Sequence, residues 1–456
     1  MCEYFPLNPQ SVPSIDTEFR RIVTELPVPA SIEILKRSRE YEPNSLRGQP
    51  PLIWDHASGV QVYDPYGNMW LDWSSGVLVS NTGHGHPAVL EAIRKTVGRP
   101  NLFSYCFPSE ERIEFAEKVV KQLPDGLDKV FFLSTGSETI ENAIKLARTN
   151  GEARGGKEKK TIISFRLGFH GRTLGSQQAG GDPNAKTWIG WLDPGFVQVP
   201  FPDGFRCRDT SFDLFLSSLD EQNVDPENVA GVVIEAYQGG GASFAPTKYM
   251  QALAAWCRNH DILLIFDEVQ SGFGRTGKMF GFEHYGVLPD LLCFGKAITS
   301  SLPLSAVVGS REVMDQYGPG SMTSTHGGNP IACAAGIASL DTILENDLVA
   351  NAAKIGGQMY SGLLELQKDY PEQIGAVHGR GLVYGVHVVR AGTDEPDTDL
   401  AHSVVRGCFE RGLLMFAPVG YGSGTVKICP PLVITAEQVL DGLAVLQESI
   451  GTALNY

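Results

Sequence analysis

A large doubly wound α/β domain followed by a smaller α+β domain is the fold this sequence predicts, and three observations predict it. Beyond about residue 129, short runs rich in Val, Ile, Leu and Phe recur without polar alternation, as in strands covered on both faces of a mostly parallel sheet. Amphipathic stretches separate these runs, and strand–helix alternation is the mark of doubly wound architecture. The chain has 456 residues, 42% hydrophobic and 20% charged, enough to bury a large core without disulfide or metal staples.

Residues 1–75 are polar and punctuated by proline, and read as an N-terminal arm that forms part of the smaller domain. Residues 76–330 make the large domain. Its strands are expected at Lys129–Leu133, Thr161–Phe165, Val229–Ile234, Ile262–Phe266, Leu291–Phe294 and Ser305–Val308, with helices such as Glu138–Arg148 and Lys248–Asn259 between them. Residues 331–456 make the C-terminal small domain. They open with two helical patterns, Ile331–Leu344 and Leu348–Leu366, then pass through strand-like Leu382–Val389 and Val426–Ile428 to a closing helix at Ala436–Leu454. Ligands of open α/β sheets sit beyond the carboxyl ends of the strands, so function is sought there.

Lys and Arg number 37 against 52 Asp and Glu, a net charge of −15 with His neutral. That balance argues against a nucleic-acid partner, which needs a basic face. No apolar run of about 18 residues suggests a membrane span, and no basic-then-apolar leader suggests secretion. Eight cysteines (Cys2, Cys106, Cys207, Cys257, Cys293, Cys333, Cys408, Cys429) are scattered without a C-x-x-C pair. They read as free thiols in a reducing compartment, the cytoplasm. The His84-Gly85-His86 stretch has no supporting His or Cys cluster, so it reads as a tight loop and no metal is expected.

Three strand ends carry chemistry. Ser134-Thr135-Gly136-Ser137 precedes a helical stretch, and such a turn offers free backbone N–H groups to a phosphate, or is an ordinary N-cap. Asp267-Glu268 closes a wholly apolar strand. A carboxylate at that depth needs a cation, either a protonated cofactor ring nitrogen or a structural partner such as Arg275. Lys296 follows the apolar Leu291–Phe294 and is either a desolvated nucleophile towards carbonyls or a lysine snorkelling from a strand end.

Together with Phe169-His170-Gly171-Arg172, Glu235, Gln270 and Thr325-His326-Gly327-Gly328-Asn329-Pro330, these motifs resemble the class III, fold-type I pyridoxal-phosphate aminotransferases. That family includes 4-aminobutyrate, ornithine and ω-amino acid transaminases, and the resemblance runs from about residue 50 to the end. It implies pyridoxal 5′-phosphate (PLP) as cofactor and Lys296 as the lysine that joins it and later moves the substrate proton. Asp267 is implied at the pyridine nitrogen, Gln270 at the phenolic oxygen, Gly136 and Ser137 at the phosphate, and Phe169 on the ring, with His170 beside them. Glu235 is implied as the anchor of the polar network near Lys296. Thr325 is implied at the phosphate of a neighbouring subunit, making a homodimer or homotetramer with active sites at the subunit interface. The implied reaction moves an amino group from an amine or ω-amino acid to pyruvate or 2-oxoglutarate by a ping-pong cycle.

Trp73 and Tyr105 are candidate walls of the substrate pocket, and Arg172 matches the position that holds a distal carboxylate. Two positions depart from the 4-aminobutyrate type: Gly240 replaces a gating glutamate, and Lys427, before Pro430-Pro431, replaces an arginine. Lysine lacks the two-pronged contact to carboxylate and acts as a point charge. A phospholyase, decarboxylase or epimerase on the same fold is therefore the alternative.

Overall fold

The computed structural model describes residues 4–99 and 101–455, so Cys2 lies outside the described residues. The chain divides into two compact units, Pro87–Val349 and Met1–His86 with Ala350–Tyr456.

The unit 87–349 is built on seven strands: β1 (Lys129–Leu133), β2 (Thr161–Phe165), β3 (Phe196–Val199), β4 (Val229–Glu235), β5 (Leu263–Asp267), β6 (Leu291–Phe294) and β7 (Ser305–Gly309). Their order across the sheet is β1-β7-β6-β5-β4-β2-β3. The pairs β2–β3, β2–β4, β4–β5 and β5–β6 are parallel. β7 runs antiparallel to both β6 and β1. β4 and β5 are buried along their whole length, which is why their sequences show no polar alternation. β3 is an edge strand of mixed sequence, Phe-Val-Gln-Val, and mostly half-buried.

Helix α1 (Gly136–Gly155) starts from a capping box: the Thr135 hydroxyl accepts the Glu138 N–H, and the Glu138 carboxylate takes the N–H of Thr135. Its apolar stripe, Ile140, Ala143, Ile144, Leu146 and Ala147, packs with Ala230, Leu263, Ile265, Leu291 and Val307 of the sheet. Helix Pro330–Glu345 belongs to this unit because it packs against helices Pro87–Gly98 and Glu110–Val120. At Gly336 an added Cβ would stand 2.5 Å from the Phe115 ring. The units therefore divide after Val349, where the sequence suggests a break near 330, and after His86, where it suggests 75.

In the other unit, strands His56–Ser58, Gln61–Tyr63 and Met69–Asp72 form an antiparallel meander, joined in parallel by Leu413–Leu414. The N-terminal segment is thus sewn to the C-terminal one. Trp70 stacks on Phe409 with ring centroids 5.4 Å apart, and Arg20 pairs with Asp441 at 2.5 Å. A second antiparallel sheet pairs Ile374–Arg380, Val383–Val388 and Thr425–Ile428. Helices Thr398–Glu410 and Ala436–Leu454 pack together. Among the described residues no helix is long and apolar enough to cross a membrane.

Candidate active site

Parallel register sets Asp267 of β5 level with Glu235 of β4 on one side and Cys293 of β6 on the other. The carboxyl ends of β1, β2, β4, β5 and β6 consequently deliver their following residues to one place. A cavity of about 250 Å³ opens there. Gly136 and Ser137 reach it from β1, Phe169, His170 and Arg172 from β2, and Glu235 from β4. Asp267 and Gln270 come from β5, and Lys296 from β6. A larger groove of about 1030 Å³ lies between helices Pro87–Gly98, Glu110–Val120 and Pro330–Glu345. It is lined by helix surfaces rich in Glu and receives no strand end, so volume alone does not locate the chemistry.

The first turn of α1 forms one end of the cavity. Thr135 takes the Glu138 amide, which leaves the N–H groups of Gly136 and Ser137 without an acceptor among the described residues. Open amides at the positive end of a 20-residue helix suit an anion. Val269 backs this turn, since a Cβ on Gly136 would stand 3.0 Å from a Val269 methyl. Sequence reasoning missed Val269; its place beside Asp267 and Gln270 is the only signal it offers.

At the other end three ionisable groups are buried together. The Nδ1–H of His170 donates to Asp267 Oδ2 at 2.8 Å, and the Val269 N–H donates to Asp267 Oδ1 at 3.1 Å. Burial alone pushes the His170 imidazole down, but the hydrogen bond and charge of Asp267 outweigh it and raise the pKa. Glu235 accepts the Phe169 N–H at 3.0 Å and the Gly239 N–H at 2.8 Å. Desolvation is the largest influence on its carboxyl, opposed by His170 and reinforced by Asp267, and the result is a pKa pushed up to about 7. The Gly239 backbone passes close beneath both side chains: a Cβ there would meet Gln270 Nε2 at 2.3 Å and Glu235 Oε1 at 2.7 Å. Glu268 points away from the cavity, accepting from Ser271 Oγ and the N–H groups of Gly281 and Phe282. Of the acidic pair that ends β5, only Asp267 serves the cavity.

Lys296 follows extended Gly295 with φ at +42°, a left-handed backbone that non-glycine residues adopt at a cost. It is half-buried at the cavity wall. Cys293 is no rival nucleophile, because burial holds its thiol well above the ordinary range. Phe169 is 42% exposed, and the Arg172 guanidinium lies 5.6 Å from its ring centroid.

Four expected site residues do not line this cavity. Trp73 is fully buried in the other unit, and its ring occupies the space a Cβ on Gly442 would need, 2.1 Å away, so it is a core residue there. Lys427 is also in that unit, 2% exposed on strand Thr425–Ile428. Tyr105 is 40% exposed, at φ +51°, with its hydroxyl 3.5 Å from Thr323 Oγ1. Thr325 is exposed, and neither it nor Tyr105 lines the cavity.

Comparison with known proteins agrees with this geometry. The family model "Aminotransferase class-III" matches residues 44–450. The chain is 33% identical to the 4-aminobutyrate aminotransferase of Mycobacterium leprae over 447 residues, covering 95% of this chain and 98% of that one. It is 36% identical to a 5-aminovalerate aminotransferase of Pseudomonas putida over 409 residues, covering 87% and 93%. Among solved structures, a Bacillus anthracis aminotransferase superposes with a TM-score of 0.84 at 31% identity, covering 93% of this chain and 99% of that one. The chain belongs to the class III aminotransferases. It is a PLP-dependent enzyme of the fold-type I class that transfers an amino group between an amine and an oxo acid. The cavity fits that cofactor on its own evidence: open helix N–H groups for a phosphate at one end, a buried carboxylate for a ring nitrogen at the other, and an amine on the wall.

Proposed function

We propose that the cavity at the strand ends is the PLP site of this aminotransferase, and that it serves an ω-amino acid donor and an oxo acid in a ping-pong cycle. When bound, PLP supplies an electron sink for the pair of electrons left on the donor carbon. The Gly136 and Ser137 amides would hold the phosphate, and Phe169 a face of the ring. Gln270 would donate to the phenolic oxygen. Asp267 would keep a proton on the ring nitrogen, and His170, which donates to its Oδ2 at 2.8 Å, holds that carboxylate in place. The Lys296 amine would join the cofactor and then carry the proton at the donor carbon. Glu235 fixes the Phe169 and Gly239 backbones through the two amides it accepts.

Arg172, with its guanidinium at the cavity rim over Phe169, would receive the donor's distal carboxylate. The relatives named for 4-aminobutyrate and 5-aminovalerate support a substrate of that class. Lys427 would serve the oxo acid, pyruvate or 2-oxoglutarate, as a point charge. Tyr105 would border the substrate. Thr325 is exposed and outside the cavity, which supports a role at the phosphate of a partner subunit in a dimer or a tetramer. The seven described cysteines are free of disulfides, which supports a reducing cytoplasm.

The observation that carries this reading is the convergence of Lys296, the Asp267–His170 pair and the open α1 terminus on one cavity. Initial rates with 5-aminovalerate varied against fixed 2-oxoglutarate, and again against fixed pyruvate, test the cycle. Parallel double-reciprocal lines are expected with at least one acceptor, and intersecting lines would overturn it.

A further inference from the structure

Glu141 lies outside the cavity, one turn of α1 beyond Ser137, so the two share a helix face. Both reach the same segment after β2. Ser137 Oγ accepts the Arg172 N–H at 3.3 Å. Glu141 Oε1 accepts three donors from the next turn: the Thr173 hydroxyl at 2.5 Å, the Gly175 N–H at 2.9 Å and the Ser176 N–H at 3.1 Å. Two of those donors open the short helix Leu174–Ala179, where a carboxylate is favoured by the free amides. The fit is close on both sides. A Cβ on Gly171 would stand 2.3 Å from Ser137 Oγ, and one on Gly175 2.3 Å from Glu141 Oε2. The turn is closed on itself by Ser176 Oγ, which accepts the Thr173 N–H at 3.2 Å.

We infer that Glu141 is a positioning residue for carboxylate recognition: by seating the 173–176 turn on α1 it fixes where Arg172 stands at the cavity rim. The inference rests on the reading of Arg172 as the carboxylate ligand. Arg172 is solvent-exposed with a long flexible side chain, so its backbone must supply the precision. That backbone is held before the residue's Cα by Ser137 and just after it by Glu141. Removing the carboxylate leaves the Gly175 N–H without its acceptor and takes one acceptor each from the Thr173 hydroxyl and the Ser176 N–H, so the turn keeps its internal Thr173–Ser176 bonds but loses its tie to α1. Because Glu141 does not line the cavity, the cofactor's own contacts are untouched, and the effect falls on donors that carry a carboxylate.

The test compares the Glu141→Ala, Glu141→Gln and Arg172→Ala holoenzymes with wild type, using 5-aminovalerate and pentylamine as donors of equal chain length. Amide hydrogen exchange across residues 169–179 is read in parallel. Glu141→Ala is expected to raise KM for 5-aminovalerate about three- to tenfold relative to pentylamine, with kcat changed less, while Gly175 and Ser176 exchange faster. Glu141→Gln keeps an oxygen acceptor and restores most of both. If Glu141→Ala speeds exchange but leaves the KM ratio alone while Arg172→Ala raises it, Glu141 is structural only and the inference is overturned. Unchanged exchange in Glu141→Ala overturns it equally. If Arg172→Ala itself leaves the ratio alone, the carboxylate reading of Arg172 fails and the inference with it.

Discussion

Replacing Glu235 with glutamine changes how stability depends on pH, and the structure gives the size and sign. The carboxyl is buried and pushed from 4.5 to about 7 in the folded chain, mainly by desolvation. The folded state therefore binds this proton more tightly than the unfolded one between those two values. Stability from this group is fully present below about pH 4.5 and is lost as the pH rises through about 7. At about 1.4 kcal/mol per pH unit the whole swing is roughly 3 kcal/mol, and it belongs to Glu235 together with His170, whose charge opposes it. Glutamine does not titrate, and its amide nitrogen cannot accept one of the two N–H groups that the carboxylate accepts. That mismatch costs about 1–3 kcal/mol at every pH. The informative quantity is the change in the difference between variant and wild type, measured by urea denaturation of both cofactor-free proteins at pH 5 and pH 8. Glu235→Gln should gain on wild type by about 2–3 kcal/mol over that interval. A difference that stays level within about 0.5 kcal/mol would show that Glu235 is ionised throughout, and would refute the reasoning.

Three further outcomes are expected. Borohydride treatment of the holoenzyme followed by peptide mapping should mark the peptide containing Lys296, and Lys296→Ala should lose that mark together with about 10³-fold or more of kcat. Gly171→Ala puts a side chain at φ +129° and 2.3 Å from Ser137 Oγ. Strain of about 1–3 kcal/mol should appear as a lower denaturation midpoint and as weaker PLP binding by equilibrium titration. Leu146→Ala empties a fully buried position on the sheet face of α1, far along the helix from its first turn. It should cost about 2–5 kcal/mol in denaturant while leaving KM for the donor within about twofold.

Strands β4 and β5 can be read from the sequence because burial on both faces leaves a continuous apolar run. β3 cannot, because an edge strand with a half-wet face has no such signature. The helical pattern of 330–345 is plain, but periodicity does not say which neighbours cover its apolar stripe. Its helix partners are given only by the structure, and they carry the division between units to Val349. At the site, the rule that ligands sit beyond strand ends selects Asp267, Lys296 and the 136–137 turn before any distance is known. For Trp73 the sequence leaves pocket wall and core as alternatives, because an aromatic suits either; its close packing over Gly442 becomes visible only in the structure. Glu141 escapes notice because its partners are 32 to 35 residues away in sequence, and a glutamate on a helix is ordinary in isolation.

The same register that makes the site legible also sets its electrostatics. Two parallel strands in level register place Asp267 beside Glu235, and both carboxyls are nearly free of water. Two adjacent buried negative charges are unfavourable, so one must take a proton or acquire a cation. The 170 position answers Asp267, which receives the imidazole at 2.8 Å, while Glu235 accepts the backbone N–H groups of Phe169 and Gly239 and is the group pushed up to about 7. The division of labour follows from that asymmetry. The carboxylate gripped by the imidazole is the one held in place to meet a ring nitrogen, whereas its neighbour, pushed up to about 7 by burial, is suited to holding backbone in place.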